Sequence, residues 1–455
     1  MNMMSVSRLL LPLAARHCVA LGLVCLSVVA CGGGDAPSAT ESAQSLPTET
    51  AQATSPTLHP ALVQLGQRLF IDRNLSEPAG TACVACHQPA RGFSGTNGSG
   101  LEVAQGSITG VFGLRNPMSN AYQGLVPSFH FVVEDDGKLE AVGGHFWDGR
   151  AATLAEQALG PFLNPAEMNN PNAESVVRKV AASNYANQFR AVFGADSLNQ
   201  TATAFQHIGE AIAAFQLAAL QPYSSKYDAF VRGQARLSDA EARGLALFQD
   251  PNRANCAGCH TMNPSSGKPE DSPFSDFSYY AHAIPRNTRI PANANPNFYD
   301  LGLCGPDRSA PALPASAPAG LSPESLCGKF RMPSLRNVAE RPAYMHNGFF
   351  RSLRDVVRFY ATRNSNLRDW YGPTALPNDL PARYWGNIEI SKPPFNRNPA
   401  DGPVLNNAEI NDIVAFLRTL SDGYDPATGI TTPPTFPNLP APTPPARPNP
   451  PPLPN

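Results

Sequence analysis

The sequence predicts an all-α fold made of two similar helical halves with long irregular loops. Three observations carry that prediction. The pattern Cys-x-x-Cys-His occurs twice, as Cys83-Val84-Ala85-Cys86-His87 and as Cys256-Ala257-Gly258-Cys259-His260. Each copy follows a Gly-x-x-Leu-Phe-x-Asp heptad, Gly66 to Asp72 and Gly244 to Asp250, placed to end a helix. Each half also carries an amphipathic helix. Phe205, Ile208, Ile212 and Phe215 recur at helical spacing within 203–220, and Ile410, Ile413, Val414 and Leu417 do so after Asn406.

From the N-terminus, Arg8 and Arg16 flank an apolar run ending at Ala30, and no acid appears before Asp35. Residues 1–30 therefore read as a secretory signal, too short for a membrane span. Val28-Val29-Ala30-Cys31-Gly32 resembles a bacterial lipobox, which makes Cys31 the lipidated first residue of the mature chain; an ordinary signal peptide is the alternative. Gly32 in place of an aspartate resembles sorting to the outer membrane. Residues 31–57, rich in Gly, Ser, Thr, Ala and Pro, read as a flexible tether. Two domains follow, over 58–225 and 226–425. The second opens with a capping box, Ser238 and Glu241, and closes with another, Asn406 and Glu409. Residues 261–326 hold many prolines and no period, so they read as loops. Residues 426–455 form a Pro-rich tail with twelve prolines from Thr431 onward, too little apolar mass for a core, and read as extended and polyproline-like.

The formal charge of −2 becomes about −4 once Arg8 and Arg16 leave with the signal, which excludes a nucleic-acid or polybasic membrane partner as the main reading. The nine cysteines divide by compartment. Cys18 and Cys25 depart with the signal, Cys31 carries lipid and four belong to the repeated motif. An oxidising compartment favours pairing the remaining Cys304 and Cys327, a bridge that stabilises by about 3 kcal/mol in the chain-entropy model. Two unpaired buried thiols are the alternative.

Cys-x-x-Cys-His reads as covalent attachment of a c-type haem, with Cys83 and Cys86, or Cys256 and Cys259, as thioethers and His87 or His260 ligating iron. A zinc site or a redox-active dithiol is the competing reading. Two copies in an exported chain, with no thioredoxin-like βαβ pattern around either, favour two haem c groups. The repeat looks like a duplicated cytochrome c unit, and His207, on the helix of the first half, reads as a packing residue.

Longer segments resemble the bacterial dihaem cytochrome c peroxidases and their relative MauG. These are Leu335-Arg336-Asn337-Val338-Ala339, Tyr344-Met345-His346-Asn347-Gly348, Phe146-Trp147-Asp148-Gly149-Arg150-Ala151-Ala152 and Asn164-Pro165-Ala166-Glu167-Met168. The resemblance runs from about His59 to Tyr424 and implies two cytochrome c-like haem domains packed face to face. In many of these peroxidases a histidine in the loop before an Arg-Asn pair caps the first iron. That pair is Arg115-Asn116 here, the ligand's place holds Ile108, and no histidine occurs from Gln88 to Phe129. The first iron is therefore expected to be open, His130 and His145 being the alternatives that could reach it.

The resemblance assigns further roles. Glu167, twenty residues after Trp147, matches the distal acid that moves a proton during O–O cleavage; on its residues alone it reads as a loop carboxylate beside Pro165. Gln157 and Pro161 match positions lining the same pocket. Trp147 matches a charge relay between the haems, where an isolated Trp-Asp-Gly reads as a core anchor. The sixth ligand of the second iron falls fourteen residues after His346, on Tyr360 as in MauG, with Met345 as the alternative. A calcium between the domains is implied on the Asn116 side chain and the carbonyls of Arg341 and Ala343, with waters completing its shell; Asn116 also reads as a turn residue.

The expected activity is reduction of hydrogen peroxide in the periplasm, with electrons from a small c-type cytochrome or a cupredoxin. Two other functions stay in view: a MauG-like oxidase that modifies Trp or Tyr side chains of a protein substrate, and a non-catalytic dihaem electron carrier with both irons six-coordinate.

Overall fold

Pro60 is compatible with a helix only in its first turn, and there it starts the Pro60–Ile71 helix, with His59 Nδ1 accepting from the Ala61 N–H. This helix carries the first heptad and crosses the long Thr201–Ala219 helix at Gly66. The approach is close enough that a Cβ on Gly66 would lie 1.8 Å from the Ala211 carbonyl oxygen. In the second half the Asp239–Gln249 helix, started by the Ser238/Glu241 capping box, crosses the Asn407–Arg418 helix at Gly244. A Cβ there would lie 1.9 Å from Asp412 O. The heptad phenylalanines pack on these partners in the same way, Phe70 on Phe215 at 5.3 Å and Phe248 on Phe416 at 5.2 Å. The closing aspartates also act alike, because Asp72 and Asp250 accept from the N–H groups of Asn74 and Asn252 at 2.9 Å. Gly, Phe and Asp of the heptad thus set the crossing, fill the gap beneath it and turn the chain toward the motif.

The structure, a computed structural model, describes residues 59–134 and 137–435. The signal at 1–30, the lipobox with Cys31, the whole tether to 57 and the tail beyond 435 lie outside the described residues. Each helix pair belongs to its own apolar core. One is drawn from positions between Leu62 and Tyr223, the other from Tyr227 to Leu420, and both lie within one compact body. The helix expected over 203–220 runs Thr201–Ala219, and the Asn406/Glu409 capping box is formed. His207 stacks on Phe193 at 4.0 Å, as a packing residue does.

The all-α expectation is modified, among the described residues, by three two-stranded antiparallel ribbons. His130–Val133 pairs with Leu139–Val142, Tyr279–Tyr280 with Phe330–Arg331, and Tyr424–Asp425 with Ile430–Thr431. Aromatic and β-branched residues favour extended backbone, and pairing satisfies peptide groups that the long loops would otherwise leave bare. The last ribbon folds residues just beyond 425 back onto the body, where the Thr432 N–H donates to Gly423 O. Between 261 and 326 the only helices among the described residues are short 3₁₀ turns such as Pro269–Asp271 and Pro323–Leu326. Cys304 and Cys327 are disulfide-bonded beside a small cluster of Ala141, Tyr279, Leu303 and Leu326. No described helix is long and apolar enough to cross a membrane.

Gly244→Ala provides a test of the crossing. At an exposed helical site this change stabilises by up to about 1 kcal/mol through propensity. Here it is expected to destabilise by about 3 kcal/mol, because the methyl meets a backbone oxygen that cannot step aside. Denaturant unfolding of the intact protein reads the sign directly.

Candidate functional site

Both Cys-x-x-Cys-His motifs sit in tight turns. The His87 N–H closes on Cys83 O at 3.0 Å and the His260 N–H on Cys256 O at 2.8 Å. Each ring is then steered by a backbone carbonyl, His87 Nδ1 by Phe93 O at 3.1 Å and His260 Nδ1 by Phe274 O at 2.9 Å. Both phenylalanines have left-handed backbones, with φ of 56° and 54°, and both precede a serine, Ser94 or Ser275. A carbonyl on Nδ1 fixes that nitrogen as the donor and leaves Nε2 as the one for a metal. Burial lowers both histidines to about 4, so the rings are neutral and able to ligate. Burial also pushes the Cys83, Cys256 and Cys259 thiols up to about 12. No cluster of three or more His, Cys, Asp or Glu side chains placed for a metal ion occurs among the described residues. Each motif borders a large cavity, and the residues fit a covalently held haem in both.

The first cavity brings together His87, Glu167, Gln157, Pro161, Trp147 and Arg150. Glu167 lies in the turn after the Leu154–Leu163 helix and accepts from Asn164 Nδ2 through Oε1 at 2.8 Å. Burial raises its pKa, and Arg150 only partly offsets this. The result is a carboxyl that holds a proton more readily than an exposed one. No second histidine and no tyrosine lines this cavity among the described residues. Ile108 is exposed, His130 sits on a surface strand, and His145 is buried with Nδ1 3.4 Å from Gln123 Oε1. Of the two methionines that line it, Met118 accepts from Arg331 and Met168 packs into the first core.

Trp147 borders both cavities. It is buried, and its Nε1–H donates to Asn116 O at 2.8 Å. The Asn116 N–H in turn donates to His346 O at 2.7 Å, so the backbone of one residue joins Trp147 to the second half. Beside it Arg115 pairs with Asp148 and with Asp300, both at 2.6 Å. Burial pushes Asp300 up, but Arg115 more than offsets this and holds it below the usual carboxylate range.

The second cavity contains His260, Tyr360, Met345 and His282. Tyr360 comes from the Leu353–Thr362 helix and lines this cavity. Burial raises its pKa, with Cys259 and Cys256 adding to the effect. His282 was not singled out by the sequence, because it lies in the aperiodic stretch. Its ring meets Tyr360 edge-on at 5.6 Å, and neither ring nitrogen has a partner among the described residues. His346 is stacked on Phe330 and borders the cavity beside Met345.

A second internal repeat emerges at a constant offset of 199 residues. The bridges His145–Ala151 and Tyr344–Phe350 match, as do the left-handed Phe146 and Met345. Thr153 and Ser352 are N-caps of helices that both run ten residues, Leu154–Leu163 and Leu353–Thr362. This superimposes Trp147 on His346, Gln157 on Val356 and Pro161 on Tyr360, and each of these side chains lines the cavity of its own half. One cavity therefore receives a phenol and the other a proline, which has no side-chain donor atom.

The oxygens that the resemblance assigns to a calcium ion also meet a cationic side chain. Arg341 does not only offer its carbonyl: its Nη2 donates to Asn116 Oδ1 at 3.3 Å and to Pro117 O at 2.9 Å. A divalent ion on Asn116 Oδ1 would sit against this guanidinium. At about 4 Å and an effective dielectric of about 20, the repulsion is on the order of 8 kcal/mol. Asn116 Oδ1 is thus already taken by a cationic donor.

The sequence model described as di-haem cytochrome c peroxidase matches residues 60–236. The methylamine utilization protein MauG of Paracoccus denitrificans is 35% identical over 373 residues, covering 80% of this chain and 90% of that one. The cytochrome c551 peroxidase of Nitrosomonas europaea is 26% identical over 365 residues, covering 79% and 80%. Among solved structures, the diheme peroxidase BthA from Burkholderia thailandensis superimposes with a TM-score of 0.73 at 40% identity, covering 80% of this chain and 86% of that one.

The Pro161–Tyr360 correspondence makes a direct prediction. Pro161→Met should supply a sixth ligand to the first iron, so the high-spin ferric signal is expected to disappear from the electron paramagnetic resonance spectrum of the variant. Reactivity with peroxide should fall with it.

Proposed function

Since this chain belongs to the dihaem cytochrome c peroxidase and MauG family of oxidoreductases, we propose that it reduces hydrogen peroxide at the His87 site. In this reading oxidising equivalents pass through Trp147 to a second haem ligated by His260 and Tyr360. The observation that carries the reading is the asymmetry between the cavities: an acid and a proline in the first, a tyrosine in the second. Haem iron at each motif supplies the one-electron redox chemistry.

The protein's own residues do the rest. Glu167 takes a proton from one peroxide oxygen and returns it to the other, the task of a general base that becomes a general acid. Asn164 holds Oε1, which leaves Oε2 for that transfer. The cavity wall formed by Gln157, Pro161 and Phe146 confines the peroxide near Glu167. Trp147 sits where charge crosses between the halves, and the Asn116 carbonyl that accepts its N–H stabilises positive charge on the indole. Overall, each peroxide consumes two electrons and two protons and yields two waters. The electrons come from a small c-type cytochrome or cupredoxin, in the periplasm, with the protein held at the outer membrane through a lipid on Cys31. The likeness to MauG and the placement of Tyr360 also favour a second reading, oxidation of Trp or Tyr side chains in a partner protein.

Glu167→Gln tests the acid. Its kcat/KM for peroxide is expected to fall by roughly 100-fold or more, with ferric spectra unchanged. Because burial raises the Glu167 pKa and the ionised form accepts the first proton, the wild-type rate should rise with pH through a pKa above the usual 4.5. That limb should vanish in the variant. If it persists, another group is the base.

Tyr360→Met tests the second ligand. Replacing an anionic oxygen donor by a thioether should raise the midpoint potential of one haem and leave the high-spin signal of the other in place. An unaltered pair of potentials would remove Tyr360 from the coordination sphere.

A further inference from the structure

We propose that the Arg341 guanidinium is the built-in cation between the two haem-binding sites and that the protein therefore works without calcium. The proposal rests on reading both motifs as haem sites. Its geometry is independent of the reaction.

Arg341 takes acceptors of the kind a calcium ion would use, an amide oxygen from Asn116 and a backbone oxygen from Pro117. It borders the cavity of His260, and the two residues it donates to, Asn116 and Pro117, line the cavity of His87. No carboxylate among the described residues pairs with it, whereas Arg115 and Arg336 nearby have close aspartate partners. The charge is thus left unneutralised by protein groups, as a bound cation's would be. Burial brings its pKa down to about 10, which still leaves it protonated at neutral pH.

The guanidinium also positions a peptide. Asn116 is buried, its N–H donates to His346 O and its carbonyl accepts from Trp147 Nε1. With Oδ1 taken by Arg341, the side chain of Asn116 is tied to the second half as well. Arg341 is therefore a positioning residue for the bridge that holds Trp147, and a positive charge that favours the reduced form of both haems.

The test uses the purified holoprotein, with haem content counted optically in every sample so that loss of a haem is not mistaken for loss of this role. Elemental analysis should find no stoichiometric calcium in the wild type. Excess EGTA should leave its paramagnetic resonance spectrum, both midpoint potentials and its unfolding temperature unchanged. Arg341→Leu should lower both potentials, and Arg341→Lys should restore them in large part. One calcium per chain whose removal by EGTA alters the spectrum would overturn the proposal. So would Arg341→Leu with wild-type potentials. Should the leucine variant not fold, the wild-type chelation result and the lysine variant decide: calcium-free behaviour with retained potentials supports the proposal, and calcium dependence in either protein sinks it.

Discussion

The close crossing of two helices at a glycine is the constraint on which the rest of the structure depends. At Gly66 and again at Gly244 the backbones approach to a distance that excludes even a methyl group. That approach seats Phe70 and Phe248 under the crossing and leaves the following aspartate to turn the chain into Cys-x-x-Cys-His. The motif then has a rigid wall on one side and a left-handed phenylalanine carbonyl on the other, at Phe93 or Phe274. A histidine held between them can turn only one nitrogen to the cavity. The position of each cofactor is thereby fixed by backbone geometry rather than by the flexible loops that surround it.

Two copies of this arrangement would give two alike sites, and the chain departs from that symmetry at a few side chains. Pro161 stands where Tyr360 stands, and Trp147 where His346 stands, on frames that otherwise match through caps, turns and helix length. A frame that ends in a phenol can complete the coordination of a metal, whereas one that ends in a pyrrolidine ring cannot. Replacing a polar donor by a closed apolar ring keeps the helix packed while leaving room beside Glu167. The division of labour between the cavities needs no difference in fold.

Between the cavities the protein invests in charge. Arg115 reaches Asp148 of its own half and Asp300 of the other, and the buried pairing is saturated by short hydrogen bonds, as a buried ion pair must be to offset desolvation. Arg341 has no such carboxylate among the described residues and rests on two neutral oxygens. The first arginine fastens the halves together. The second leaves a positive charge against Asn116, whose carbonyl holds the Trp147 N–H between the two cavities.

The two Cys-x-x-Cys-His motifs, the heptads before them and the pairing of Cys304 with Cys327 were legible in the sequence by itself, because each depends on residue types at short spacing or on counting what remains, and the structure forms both helix crossings and the bridge. The sequence also placed Glu167, Trp147 and Tyr360 through the longer resemblance, and the structure puts all three beside the cavities expected of them. Tertiary structure alone decided what lies across long separations. The match of Pro161 to Tyr360 is almost invisible in sequence, since backbone bridges and caps carry it rather than side-chain identity. His282 reaches Tyr360 from a stretch with no period to reveal it. Asn116 and Arg341, 225 positions apart, were read as two ligands of one ion. A spacing can name an oxygen donor, but only packing shows whether the neighbouring side chain turns away or supplies the cation itself.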